Sequence, residues 1–166
     1  GVTTIENAAK EPEIVNVATF LNNMGAKIRG AGTETITIKG VEHLHKAFHE
    51  VIPDRIEAGT YIIIGALLGE NLKIKRIIPT HVESLTSKLI EAGADMEIKE
   101  DEIIINAKDK YKSVNVKTQP YPGFPTDLQQ PIIPFLTRCR GTSTVEETIY
   151  ENRFQNIYDT NRMGAN

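Results

Sequence analysis

The sequence has no tryptophan and a single cysteine, Cys139, so no internal disulfide can staple it and the fold must rest on packing. Such sparing cysteine use fits a reducing compartment, and the expected location is the cytoplasm. Long apolar runs are missing too. The longest, residues 61 to 68, is far shorter than a membrane span, contains Gly65 and reads as a buried helix. No signal-peptide pattern is present, and no membrane partner is expected. Positive charge is not in excess either. A formal net charge of −3, with Lys and Arg scattered, leaves no footprint for nucleic acid. Strands combining aromatic and basic residues, the mark of RNA-binding modules, are also absent. What remains is a globular composition, 40% hydrophobic and 25% charged, which over 166 residues is enough to bury a core.

The most informative positive feature is an internal repeat. Met24-Gly25-Ala26 recurs as Ala92-Gly93-Ala94 and as Met163-Gly164-Ala165, with glycines 68 and 71 residues apart (93 − 25 and 164 − 93). A second marker keeps step with it. Gly1, Gly69 and Gly141 each precede an alternating, strand-like segment. After that strand the pattern predicts an amphipathic helix, with Ile14, Val17, Ala18 and Leu21 on one face in the first copy. Val82, Leu85 and Leu89 take the same role in the second. Pro12 suits the first turn of the first helix, and Thr80 with Glu83 forms a capping-box signature for the second. The glycines at 25, 93 and 164 fall where a left-handed C-cap is wanted.

A hairpin follows, at residues 27–29 and 34–39 in one copy and at 95–99 and 102–106 in the next. A largely apolar helix is then predicted at residues 56–68 and again at 128–139. A helix apolar nearly all round belongs at the centre. The unit reads as βαββα, or as βαβαββ from a shifted start, which places the fold in the α/β (α+β) class. The third copy stops before its hairpin, so the sequence reads as part of a longer chain.

Five segments then add up to a resemblance. They are Glu6-Asn7-Ala8-Ala9-Lys10-Glu11-Pro12-Glu13-Ile14; Phe20-Leu21-Asn22-Asn23-Met24-Gly25-Ala26 with Gly30-Ala31-Gly32-Thr33; and Pro53-Asp54-Arg55-Ile56-Glu57-Ala58-Gly59-Thr60. The other two are Tyr121-Pro122-Gly123-Phe124-Pro125-Thr126-Asp127-Leu128-Gln129 and Glu147-Thr148-Ile149-Tyr150-Glu151-Asn152-Arg153-Phe154. In this order and spacing the sequence resembles the UDP-N-acetylglucosamine 1-carboxyvinyltransferases, over nearly its whole length. The resemblance implies an inside-out α/β barrel in two lobes, built from βαβαββ-type units and incomplete in this chain. Residues 1–52 are then the last unit of one lobe. Residues 53–166 are the first unit and part of the second in the other.

The implied reaction joins phosphoenolpyruvate to the 3-hydroxyl of UDP-N-acetylglucosamine through a tetrahedral intermediate and releases phosphate, the first committed step of peptidoglycan synthesis. It needs a base near the attacking hydroxyl, an acid for the enol methylene and cations for the carboxylate and phosphate. No metal and no cofactor are expected. The family's upstream lysine, arginine and cysteine and its downstream arginine fall outside residues 1–166, so this stretch alone is expected to be inactive, with self-association a possibility. By the same resemblance Asp127 is the candidate catalytic base and a substrate contact, and the backbone at Ile149 meets the nucleotide sugar. Arg153 supports ligand binding or lobe closure, and Arg55 lies near the cleft. Each has a plainer alternative: a helix-start acid for Asp127, strand core for Ile149, an ion pair for Arg153 and for Arg55. A shikimate-pathway relative, a binding module and an inert structural piece are the competing functions.

Two tempting residue sets carry no assigned chemistry. Cys139 falls in the predicted apolar helix, where it acts as a small hydrophobe. His45 and His49 share an i, i+4 spacing, with His43 nearby, but lack the acid motif of a zinc site. Pro131 and Pro134 within the second central helix predict that it begins as a turn or 3-10 piece.

Overall fold

The computed structural model describes residues 1–165, and the chain divides into two compact units. One comprises Gly1–Ile52 with Pro120–Pro122, the other Pro53–Gln119 and the chain from Gly123 onward.

The first unit runs β1 (Val2–Glu6), α1 (Pro12–Asn23), β2 (Lys27–Arg29) and β3 (Thr35–Lys39). Its sheet has the order β1-β3-β2, antiparallel throughout, with Val2 opposite Lys39 and Lys27 opposite the same Lys39. Pro12 opens α1, where its missing N–H is harmless. Ala18 is buried and Ile14 and Leu21 are half-buried, as the period requires. Val17, predicted on the same face, is instead 55% exposed, because it sits about 100° around the helix from Ala18.

The second unit begins with α2 (Arg55–Leu68) and continues through β4 (Leu72–Lys75), a 3-10 turn (Pro79–Val82), α3 (Glu83–Glu91), β5 (Asp95–Ile98) and β6 (Glu102–Asn106). Its sheet has the order β4-β6-β5, again antiparallel. Strand, helix, hairpin and sheet order therefore repeat. The helix ends repeat in atomic detail. After α1 the Ala26 N–H donates to Leu21 O and the Gly25 N–H to Asn22 O, both at 3.0 Å. After α3 the Ala94 N–H donates to Leu89 O and the Gly93 N–H to Ile90 O, both at 2.8 Å. These are Schellman motifs, and they require the left-handed φ of +100° and +96° that glycine adopts freely.

The capping box predicted at Thr80 and Glu83 does not form. Pro79 starts a 3-10 turn that absorbs Thr80, and α3 begins without a side-chain cap. Val82, Leu85 and Leu89 are all buried, as expected. The apolar helix α2 packs on β4 and β6, elements that follow it, so it opens a unit rather than closing one. This selects the βαβαββ phase. Gly65 makes that packing possible, since a Cβ there would overlap the Ile105 side chain. The helix is less enclosed than its composition predicts. Ile62, Ile63 and Ala66 are buried, whereas Leu68 is 79% exposed.

The chain then places β7 (Tyr111–Lys112) and β8 (Val116–Lys117), α4 (Gln129–Leu136), and β9 (Cys139–Arg140) and β10 (Val145–Glu146). Strand β7 pairs with β9 and β8 with β10, both parallel, and α4 is the crossover between them. The helix predicted at 128–139 is thus shorter. It is preceded by a 3-10 turn, Thr126–Leu128, and stops at Leu136 because Cys139 and Arg140 are drawn into strand pairing. Pro131 lies in the first turn, where no N–H is needed, and only Pro134 removes an interior donor. The last helix, α5 (Asn156–Arg162), ends in the same Schellman pair at Gly164, whose φ is +96°. Asn166 lies outside the described residues. The core of this unit joins α2, α3, α4 and β6 around Ile62, Leu85, Leu89, Ile105, Ile132 and Phe135.

Candidate functional site

Phe124 is buried and Pro125 is extended, and together they deliver the chain into the Thr126–Leu128 turn at the start of α4. Leu128 points into the core and packs against Gly59, where a Cβ would come within 2.6 Å of it. That inward residue turns its neighbour Asp127 outward. The Asp127 side chain is 57% exposed, and its Oδ1 accepts from Arg153 Nη2 at 2.8 Å. Arg153 is the more enclosed partner. Its Nη1 donates to Thr126 Oγ1 at 3.1 Å, and its guanidinium stands 5.0 Å from the centre of the Tyr150 ring. Two sequence-predicted residues 26 positions apart are therefore one cluster. The plain ion pair anticipated for Arg153 is real, and its partner is Asp127. Such a pair at the surface is worth at most about 1 kcal/mol.

Ile149 is neither buried nor in a strand, contrary to its plain reading as strand core. It follows β10 in an irregular segment with its side chain exposed. Its N–H is taken, donating to Glu147 Oε1 at 2.8 Å. Among the described residues no backbone donor reaches its carbonyl. Arg55 is half-buried in the first turn of α2, one turn before Gly59 and its contact with Leu128. Asp54 caps this helix, accepting from the Ile56 N–H at 2.8 Å and the Glu57 N–H at 3.1 Å.

Sequence reasoning missed Glu147. Its carboxylate accepts from Thr118 Oγ1 and Thr126 Oγ1, both at 2.9 Å, and from the N–H groups of Ile149 and Tyr150. Burial works to raise this carboxyl, but the four donors outweigh it and hold Glu147 below the ordinary value of 4.5. Thr118 extends the lattice. It is buried, its hydroxyl accepts from the Thr148 N–H at 2.8 Å, and its carbonyl accepts from the Thr148 hydroxyl. The one local signal was an acid followed at two and three residues by backbone donors, a spacing too common to stand out. Beside Asp127, Gln129 is wholly buried, and neither end of its amide meets a partner among the described residues.

The set-aside residues lie elsewhere. Cys139 is half-buried beside the Phe135 carbonyl, and burial pushes its thiol up, away from nucleophilic use. The segment carrying His45 and His49 is not helical, so their spacing does not align the rings, and His49 stacks on Phe20 at 5.1 Å. Among the described residues no group of three or more His, Cys, Asp or Glu side chains could hold a metal. No described helix is long and apolar enough to cross a membrane.

The repeated strand–helix–hairpin order gives an α/β fold, and comparison with known proteins supplies the family. The model of EPSP synthase (3-phosphoshikimate 1-carboxyvinyltransferase) matches residues 1–166, and the chain belongs to that family. Within it the chain is similar to proteins named UDP-N-acetylglucosamine 1-carboxyvinyltransferase 2. It is 56% identical to that of Listeria monocytogenes serotype 4b (strain F2365) over 165 residues, 99% of this chain. It is 57% identical to that of Bacillus subtilis (strain 168) over 167 residues, 100% of this chain. The chain spans 39% of the length of each. Among solved structures it resembles the enolpyruvyl transferase NikO from Streptomyces tendae, with a TM-score of 0.84 and 27% identity. That likeness covers 96% of this chain and 38% of the other. The resemblance read from the five segments is thereby borne out, and so is the fold class.

Proposed function

We propose that this chain is part of an enzyme that transfers the enolpyruvyl group of phosphoenolpyruvate to the 3-hydroxyl of UDP-N-acetylglucosamine, in the cytoplasm. The observation that carries the reading is the exposed Asp127 carboxylate, held by Arg153 at 2.8 Å. A base must meet solvent or substrate while its direction is held, and this pair does both. Asp127 takes the proton of the attacking hydroxyl, and the Ile149 backbone orients the acceptor sugar. Arg153 keeps Asp127 aimed. Arg55, in the first turn of α2, contributes to substrate binding. Residues 1–52 belong to one lobe and residues 53–166 to the other. The groups that stabilise phosphoenolpyruvate come from outside this chain, so residues 1–166 alone do not turn over.

The family's name favours a second acceptor, 3-phosphoshikimate, whereas the relatives at 56–57% identity carry the nucleotide-sugar name. Phosphate release by the full-length gene product separates them. With phosphoenolpyruvate and UDP-N-acetylglucosamine it is expected to release phosphate, and with 3-phosphoshikimate it is not. The opposite pattern would overturn the proposal.

A further inference from the structure

Glu147 binds no substrate in the reading above, yet it is the point where the two substrate-facing segments join. Oε1 accepts from Thr118 Oγ1 at 2.9 Å, Ile149 N–H at 2.8 Å and Tyr150 N–H at 3.2 Å. Oε2 accepts from Thr126 Oγ1 at 2.9 Å. Thr126 Oγ1 in turn accepts from Arg153 Nη1 at 3.1 Å, and Arg153 Nη2 reaches Asp127. A guanidinium can only donate, so the Thr126 hydroxyl proton must leave on its other side, where an ionised carboxylate receives it. The direction of each bond is thereby fixed, from Arg153 through Thr126 to Glu147.

We propose that Glu147 is a positioning residue that locks the Asp127 turn and the Ile149–Tyr150 backbone into one rigid unit facing the acceptor sugar. This rests on the enolpyruvyl-transfer reading. One carboxylate with acceptors on both oxygens is the only ordinary side chain that serves all four donors. A carboxamide in its place presents a donor to Thr126 Oγ1. That donor competes with Arg153 for the hydroxyl lone pairs and loosens the hold on Asp127. Networks of this kind behave as units rather than as sums of contacts.

The test uses the full-length gene product with Glu147→Gln, Thr126→Val and the double variant. Each single change is expected to lower kcat/KM for UDP-N-acetylglucosamine roughly tenfold, the usual scale for losing a charge-assisted hydrogen bond. The double variant should be no worse than the more damaging single change, because both cut one link. Unaltered kinetics in Glu147→Gln, or losses that multiply in the double variant, would overturn the proposal. A readout free of substrate keeps the two readings apart. Hydrogen exchange at the Ile149 and Tyr150 amides should be slow in the wild type and fast in Glu147→Ala. Equal exchange in both proteins would overturn the positioning role whatever the reaction. A wild-type enzyme that ignores UDP-N-acetylglucosamine but shows this exchange contrast would overturn only the function.

Discussion

The sheets β1-β3-β2 and β4-β6-β5 are built to one plan, yet they are buried to very different degrees. Both are antiparallel, both hold a helix between their first and second strands, and both helices end in the same Schellman pair. Along β6, Ile103 and Ile105 are fully buried, whereas in β3 Ile36 is buried and Ile38 is only partly so. Strand β1 is exposed along its whole length. The second sheet has α2 laid across it within its own unit, and the first unit holds no helix besides α1. Local sequence grammar therefore sets element order and register in both repeats. How much apolar surface leaves water is set by what is packed on top, and that decides the energetics.

The sharpest way to break this comparison is a matched core truncation. Ile105→Ala should destabilise the chain by about 2–5 kcal/mol. Ile38→Ala, at the corresponding place in β3, should cost about 1 kcal/mol because less area is lost. Urea denaturation midpoints measure both, and equal losses would mean the repeats are energetically alike after all. Next in size is the left-handed cap. Gly93→Ala should cost about 1–2 kcal/mol, since a Cβ there meets nothing within 4 Å and only the φ is penalised. Gly25→Ala should cost more, because its Cβ would lie 3.1 Å from His45 Nε2. Thermal melts that rank them the other way would refute the C-cap account.

Helix starts give a smaller contrast. Asp54→Ala should lose about 0.5–2 kcal/mol of cap energy, while Thr80→Ala should lose almost none. Acid titration gives a subtler one still. Glu147 has a folded pKa below 4.5, so its contribution is complete above that value and is lost as pH falls through the depressed one. Glu147→Gln should flatten the acid limb of the stability profile below about pH 4.5. Glu34, lowered by its hydrogen bond and ion pair with Lys10, is fully exposed and screened, so Glu34→Gln should leave that limb unchanged.

The repeat and its caps were legible because glycine at a left-handed position has few substitutes, and its spacing survives without knowledge of contacts. The buried face of α3 followed from periodicity alone. The failures share a cause. Helix α4 stopped early because Cys139 pairs with Tyr111, 28 residues upstream (139 − 111), and no local pattern announces that. Thr80 lost its cap to the turn set by Pro79. Asp127, Ile149 and Arg153 were read from family resemblance rather than from chemistry. Glu147, which ties them together, was passed over because its partners lie as far away as Thr118, 29 positions along the chain. Sites held by such tertiary bonds are visible only once the chain has folded.

Asp127→Asn in the full-length gene product is the most direct test of the function claimed for this cluster. The amide keeps the shape and can still accept from the sugar hydroxyl, so UDP-N-acetylglucosamine binding should change little. Loss of the base should lower turnover by about 10²–10⁴-fold. If Asp127 serves only the helix start and its ion pair with Arg153, the melting temperature will fall slightly and turnover will stay near normal. That second outcome would contradict the account.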